Sequence, residues 1–285
     1  MPNTDQHLST STVRQSGYHT VMPREEYDAH PAVNCSTLKQ FMKSSLHAEH
    51  QLKNRDNDKS DALVFGSALH AYVLEPEIFD AEFHVLHEKI DRRTKVGKAE
   101  WQKQMEIAGD RDLIKPEWWT MIQRMGERLR QHPSASDLLC CGDTEVTLVT
   151  DDNFRCRVDQ CDPERHILVD LKTCMTADMD SIAQAVRRYH YAMQARFYLN
   201  CYQSVTGHEA EFYFVFIEKA APHDINCIKL SEDWLAIGQA HIDEAMKRLR
   251  DWKILGPRGY SDTITTLEVP SYLMKHTEEM PGETE

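Results

Sequence analysis

The chain has 285 residues, 41% apolar and 28% charged, with 46 acidic against 33 basic residues and a net charge of −13. That length suits one large domain, or a core domain with a helical appendage, and the charge excludes a protein that coats itself indiscriminately in nucleic acid. The longest apolar runs, such as Phe212–Ile217, cannot span a bilayer, and Met1–Ser16 is polar with no secretory core, so a cytoplasmic location is expected.

Residues 1–17 read as a disordered leader. Ser36 is placed to cap a helix over Thr37–Lys43, and a polar loop follows at Lys53–Asp61. Ala62–Leu74 is apolar at helical spacing and stops before Glu75-Pro76, because the residue preceding a proline is pushed out of the α region. Glu82–Leu86 reads as a short strand, and Lys95–Ile107 and Pro116–Gln131 read as helices, with Pro116 suited to a first turn. The character then changes. Glu145–Thr150, Phe154–Cys161 and His166–Lys172 are rich in Val, Ile, Leu and Thr, and are punctuated by Asp151-Asp152-Asn153 and Asp162-Pro163-Glu164, the pattern of an antiparallel meander. Asp178–Val205 reads as one helix, Ala210–Glu218 and Asp224–Leu230 as two further strands, and Ser231–Trp252 as a long amphipathic helix capped by Ser231. With an acidic disordered tail at 274–285, this leaves a single domain over 18–273. Its class is α/β, a central mixed sheet flanked by helices with an N-terminal helical segment.

The eight cysteines contain no Cys-x-x-Cys pair, and Cys140 and Cys141 are adjacent, so reduced, mostly buried thiols fit better than a zinc or iron–sulfur site. Charge is unevenly spread. Ser181–His208 holds no Asp or Glu but includes Arg187, Arg188 and Arg196, and a second basic cluster comprises Lys89, Arg92, Arg93, Lys95, Lys98 and Lys103. Basic tracks on an acidic shell suit an enzyme that holds a polyanion in a groove. Ordinary solvated faces produce the same pattern.

The informative segment is Arg157–Lys172. Residues two apart on a strand share a face, so Asp170 and Lys172 point the same way while Leu171 packs opposite. A hairpin turning on Glu164-Arg165 sets Asp159 against Asp170 on the neighbouring strand. Two such carboxylates repel, and a hard divalent cation, Mg²⁺ or Mn²⁺, relieves the repulsion. One or two such ions lower the pKa of water and stabilise charge at a phosphoryl centre, with Lys172 beside them to stabilise the attacking oxygen. The parts suit phosphodiester hydrolysis, although a surface ion pair would read identically. His70, in the run Gly66-Ser67-Ala68-Leu69-His70, is either a ligand or a buried structural histidine, and Glu75 follows a turn and a half later. Gln194 and Tyr198 lie four apart with Tyr191 on the same stripe, offering phosphate donors and a stacking surface, or simply a core face. Glu145 opens the first meander strand, as a third carboxylate or as an exposed strand-end acid.

The ordered set Gly-x-x-Leu-His (66–70), Arg-Val-Asp (157–159), Asp-Leu-Lys-Thr (170–173) and Gln-x-x-x-Tyr (194–198) resembles the RecB-type branch of the PD-(D/E)XK nucleases. Arg188-Tyr189-His190-Tyr191 with Gln194 and Phe197-Tyr198, Asp91-Arg92-Arg93-Thr94 with Gly97-Lys98, and Ser36-x-Leu-Lys-x-Phe41 are similar to the RecE-type (exonuclease VIII-like) exonucleases in particular. The resemblance covers roughly residues 18–273 and implies the PD-(D/E)XK nuclease fold. It implies His70, Asp159, Asp170 and the Leu171 carbonyl as ligands of Mg²⁺, for which Mn²⁺ substitutes, with Lys172 as the catalytic lysine and Gln194 and Tyr198 as an auxiliary pair. It further implies a bacterial or prophage enzyme that digests linear double-stranded DNA from 5′ ends to leave 3′ tails. A ring-forming homo-oligomer, possibly a tetramer, would enclose the duplex and hand the tail to a single-strand annealing protein of the RecT-like kind. Arg92, Arg93, Lys98, Arg187, Arg188, Tyr191 and Arg196 would contact DNA. Val158-Asp159 replaces Pro-Asp, and Asp170 stands where many relatives have Glu, which weakens a restriction-endonuclease reading. The family's long N-terminal extension is absent, so the chain reads as the nuclease part alone. A single-strand-specific or CRISPR-associated-like nuclease, or a non-catalytic DNA-binding module on the same fold, are the alternatives.

Overall fold

The computed structural model describes residues 16–54 and 60–269. The tail at 274–285, nearly all of the leader and part of the 53–61 loop lie outside the described residues. The leader ends earlier than expected, because Gly17–His19 forms strand β1. Then come α1 (Arg24–Ala29), β2 (Val33–Asn34), α2 (Cys35–Lys43), α3 (Ser45–Lys53), α4 (Asp61–Leu74), α5 (Pro76–Glu82), β3 (Phe83–Val85), α6 (Lys95–Ala108), β4 (Asp112–Ile114), α7 (Pro116–Gln131) and α8 (Pro133–Leu139). The second half contains β5 (Asp143–Val149), β6 (Phe154–Asp162), β7 (Ile167–Cys174), α9 (Met179–Arg188), α10 (Tyr191–Thr206), β8 (Glu211–Glu218), β9 (Ile225–Lys229) and α11 (Glu232–Leu255).

The main sheet runs β1-β5-β6-β7-β8-β9, with β2 on β6. The meander β5-β6-β7 is antiparallel, and the α9–α10 crossover makes β7 and β8 parallel. Both faces of the sheet are covered. Leu168, Phe212, Phe214 and Phe216 pack under α2, α10 and α11, while Val169, Leu171, Val215 and Ile217 pack under α4 and α7. This alternation along β7 and β8 is the period of two that a strand buried on both faces requires. The architecture is therefore a mixed sheet between two helical layers. None of the described helices is long and apolar enough to cross a membrane.

Three local expectations need correction. The first long helix begins at Cys35, and its cap is Asn34, whose Oδ1 accepts from Thr37 N–H at 2.8 Å, because Asn34 keeps the extended backbone a cap needs while Ser36 is already helical. Asp178–Val205 is two helices. His190 adopts a left-handed backbone (φ 53°) that breaks the run and redirects α10 along α11. The two helices cross so closely that a Cβ on Gly238 would lie 2.2 Å from the Ala192 carbonyl oxygen. All eight cysteines are free as expected, but Cys140 and Cys141 are exposed and only Cys35, Cys156, Cys161 and Cys201 are buried.

Candidate active site

The site forms where β6 leaves β7. Their ladder runs Asp162–Ile167, Cys161–Leu168, Gln160–Val169 and stops, while the other end of β6 pairs with β2 on the same edge. Continuing the register would set Asp159 against Asp170. There the Asp159 carboxylate takes over from the missing ladder bond, accepting from Leu171 N–H at 2.8 Å. The core-facing residues of β6 change parity across this point, from Cys156 and Val158 to Cys161. On β5, opposite, Glu145 has a left-handed backbone (φ 49°), a conformation that disfavours a side chain and is retained mainly where the surroundings enforce it. The irregularity frees two acids from the regular pleat. Arg157 then holds the Glu145 carboxylate.

Helix α4 brings in His70. Its Nε2 lies 2.8 Å from the Leu171 carbonyl oxygen and its Nδ1 lies 3.4 Å from Asp159 Oδ2. His70, Glu145 and Asp159 each offer a ligand atom within 4.8 Å of the others, the one such grouping among the described residues. Both ring nitrogens of His70 thus face oxygen acceptors, yet a neutral imidazole has a single N–H. A divalent cation among the imidazole, the carboxylates and the carbonyl would satisfy what that ring cannot, and this donor set, mostly oxygen with one imidazole, suits a hard or borderline ion. The electrostatics agree. Burial, then the charges of Asp170 and Glu145, push the Asp159 carboxyl up to about 7 against the pull of His70 and Lys172. Burial and Glu145 push Glu75, which caps the end of α4, up to about 7 as well. Acids crowded this tightly call for a cation.

Asp170 stands next to this group but is held from the other helical layer. Lys172 Nζ pairs with the buried Asp170 Oδ2 at 2.5 Å. Gln194, on α10, donates through Nε2 to the other oxygen. Burial would lower the Lys172 ammonium, but Asp170 and Asp159 more than reverse this and keep it firmly charged. Tyr191 covers the pair, with Lys172 Nζ 5.2 Å from its ring centre. Tyr198 lies deeper, edge-on to Phe212 at 5.8 Å, and burial raises its hydroxyl well above the usual range.

His70, Glu145, Asp159, Asp170, Leu171, Lys172, Tyr191 and Gln194 therefore meet at one place. The basic residues expected to contact DNA do not join them. Arg196 reaches Gln239 at 3.4 Å, and Arg93 is held by Asp91 at 2.9 Å. Arg92 lies over Trp101 at 4.5 Å, and Lys98 is exposed on α6. Arg187 and Arg188 are exposed at the end of α9, Arg188 over Tyr189, whose ring lies 5.6 Å from Tyr191. Two site residues escaped the sequence reading. Lys39, on α2, donates to Gln194 Oε1 at 3.2 Å, and Arg157 orients Glu145. The Ser36-x-Leu-Lys-x-Phe41 string contained the signal for Lys39, since position 39 carries a charge on a helix otherwise buried through Cys35, Leu38 and Phe41.

A mixed sheet between helical layers, with acids, a lysine and a histidine at the point where two strands part, defines a PD-(D/E)XK-type fold and site. Over residues 34–255 the chain matches the family described as "PDDEXK-like domain of unknown function (DUF3799)", and it belongs to that family. Among solved structures it is similar to the crystal structure of a candidate exonuclease from Eubacterium rectale, at 16% identity and a TM-score of 0.61, covering 91% of this chain and 99% of that one. The crystal structure of SSO0001 aligns at 13% identity over 71% of this chain and 91% of that one, with a TM-score of only 0.27. No curated protein matches the chain.

Proposed function

We propose that the chain is a divalent-metal-dependent DNA exonuclease that hydrolyses linear double-stranded DNA, in the manner of the RecE-type enzymes its motifs resemble. The observation that carries this reading is the convergence of His70 Nε2, Asp159 Oδ2 and the Leu171 carbonyl, with Lys172 on the next residue of the same strand. The exonuclease designation of the Eubacterium rectale neighbour agrees with it.

His70, Asp159, Glu145, the Leu171 carbonyl and Asp170 would hold one or two Mg²⁺ or Mn²⁺ ions, which supply an acidified water and charge neutralisation at the phosphorus. The remaining work falls to the chain. Lys172, held charged by Asp170, sits where it stabilises the attacking oxygen and the developing negative charge. Gln194 fixes one oxygen of Asp170, and Lys172 pairs with the other. Arg157 likewise fixes Glu145. Digestion from 5′ ends, a ring-shaped homo-oligomer and transfer of 3′ tails to a single-strand annealing partner complete the proposal on the strength of the resemblance.

The test is digestion, in Mg²⁺ and in EDTA, of duplexes labelled at one 5′ or one 3′ end, alongside covalently closed circles. Mg²⁺-dependent release of the 5′ label with intact circles is expected. Nicking of circles, or cleavage that persists in EDTA, would overturn it.

A further inference from the structure

Lys39 is a second ammonium at the site with no role in holding metal or orienting the attacking water. It projects from α2, the helical layer opposite α4, and lies 5.4 Å from the centre of the same Tyr191 ring that Lys172 approaches at 5.2 Å. Its ammonium donates to an uncharged acceptor, Gln194 Oε1, and among the described residues no carboxylate lies within ion-pair distance of it. The one acid nearby, Asp170, is already engaged by Lys172 and Gln194. Burial, with Lys172 adding its repulsion, pulls the Lys39 ammonium below the ordinary lysine value. A half-buried cation without a carboxylate in ion-pair contact is costly, and chains retain such a group where an anion arrives to complete it.

We propose that Lys39, which shares the Tyr191 ring with Lys172, forms an anion subsite that takes a phosphate of the bound strand next to the scissile one. The inference rests on the nuclease reading and deepens it. The metal group lies on the α4 side of β7 and attracts the scissile phosphate, whereas Lys39 lies on the α2–α10 side and would hold its neighbour, so the strand would be gripped from both layers. The competing role is purely local. Lys39 would merely orient the Gln194 amide so that its N–H₂ faces Asp170.

The two roles separate in binding measured without cleavage. Duplex affinity is titrated in EDTA across a salt series for wild type, Lys39→Gln and Lys39→Arg. Glutamine keeps a donor for Gln194 but loses the charge, and arginine keeps the charge. Each phosphate neutralised by a side chain contributes about 0.9 to the slope of log affinity against log salt. Lys39→Gln should flatten that slope by about one and weaken binding about tenfold or more at low salt, uniformly across sequences, while Lys39→Arg keeps the wild-type slope. If Lys39→Gln is misfolded by circular dichroism, Lys39→Met carries the same measurement. Wild-type slope and affinity in the uncharged variants, whatever happens to cleavage, would overturn the subsite. Wild-type protein that binds no duplex would instead fail the nuclease reading itself, and the subsite with it. Pairing 5′-phosphorylated with 5′-hydroxyl duplexes shows which phosphate is held: a Lys39 effect confined to the phosphorylated substrate assigns the terminal group, and an equal effect assigns an internal one.

Discussion

Asp159→Asn separates the charge of the site from its shape. The amide keeps an oxygen to accept from Leu171 N–H, so the splayed strands remain bridged, but the buried negative charge is gone. In the folded chain that carboxyl is pushed up to about 7, by burial first and then by Asp170 and Glu145, against roughly 3.9 in an unfolded chain. The folded state therefore binds this proton more tightly than the unfolded state. Its contribution to stability is present below about pH 4 and is lost as pH rises through about 7. Three pKa units correspond to about 4 kcal/mol, and relaxation around the group reduces this to roughly 2–4 kcal/mol. Metal-free Asp159→Asn protein should accordingly melt above wild type at pH 8 by about 5–10 °C, with the gap closing toward pH 4. Thermal melts in EDTA across that range make the measurement. Mg²⁺ should reverse the order at pH 8, because only wild type retains the charge that grips the ion. A difference in melting temperature that is the same at pH 5 and pH 8 would refute the reasoning.

Other expectations follow from individual contacts. Lys172→Met should lower Mg²⁺-dependent cleavage by about 10² or more while the protein stays folded, read as initial rates on a labelled duplex; a near-wild-type rate would take Lys172 out of the chemistry. His70→Ala should weaken Mn²⁺ binding about tenfold or more by calorimetry, and unchanged affinity would remove His70 from the ligand set. Gly238→Ala should destabilise by about 1–3 kcal/mol in urea because the new methyl meets the Ala192 carbonyl; an unshifted midpoint would show that α10 and α11 can part freely.

Much of this was legible in the sequence because it depends on local periodicity. The two-residue alternation of β7 and the proline-limited ends of α4 and α7 follow from rules that act within a few residues. The register across the β6–β7 turn was legible for the same reason, since the turn at Glu164-Arg165 sets which residues face each other. Other features needed three dimensions. Nothing local shows that the ladder opens after Gln160, with β2 taking the far end of the same edge of β6, or that Glu145 on β5 takes a left-handed backbone. No glycine or proline marks the break at His190, where the backbone turns left-handed between α9 and α10. Arg196 reads as a free cation in the sequence, yet packing turns it to Gln239, whereas Lys39, which reads as an ordinary helix lysine, is turned inward.

The proposed nuclease centre requires a divalent ion held among His70, Glu145, Asp159 and the Leu171 carbonyl. A crystal grown with Mn²⁺ and examined by anomalous scattering at the manganese edge tests this directly. The expected result is an anomalous peak between the His70 imidazole and the Asp159 carboxylate, lost in Asp159→Asn crystals. A difference map with no peak there, or with manganese bound only elsewhere on the surface, would contradict it.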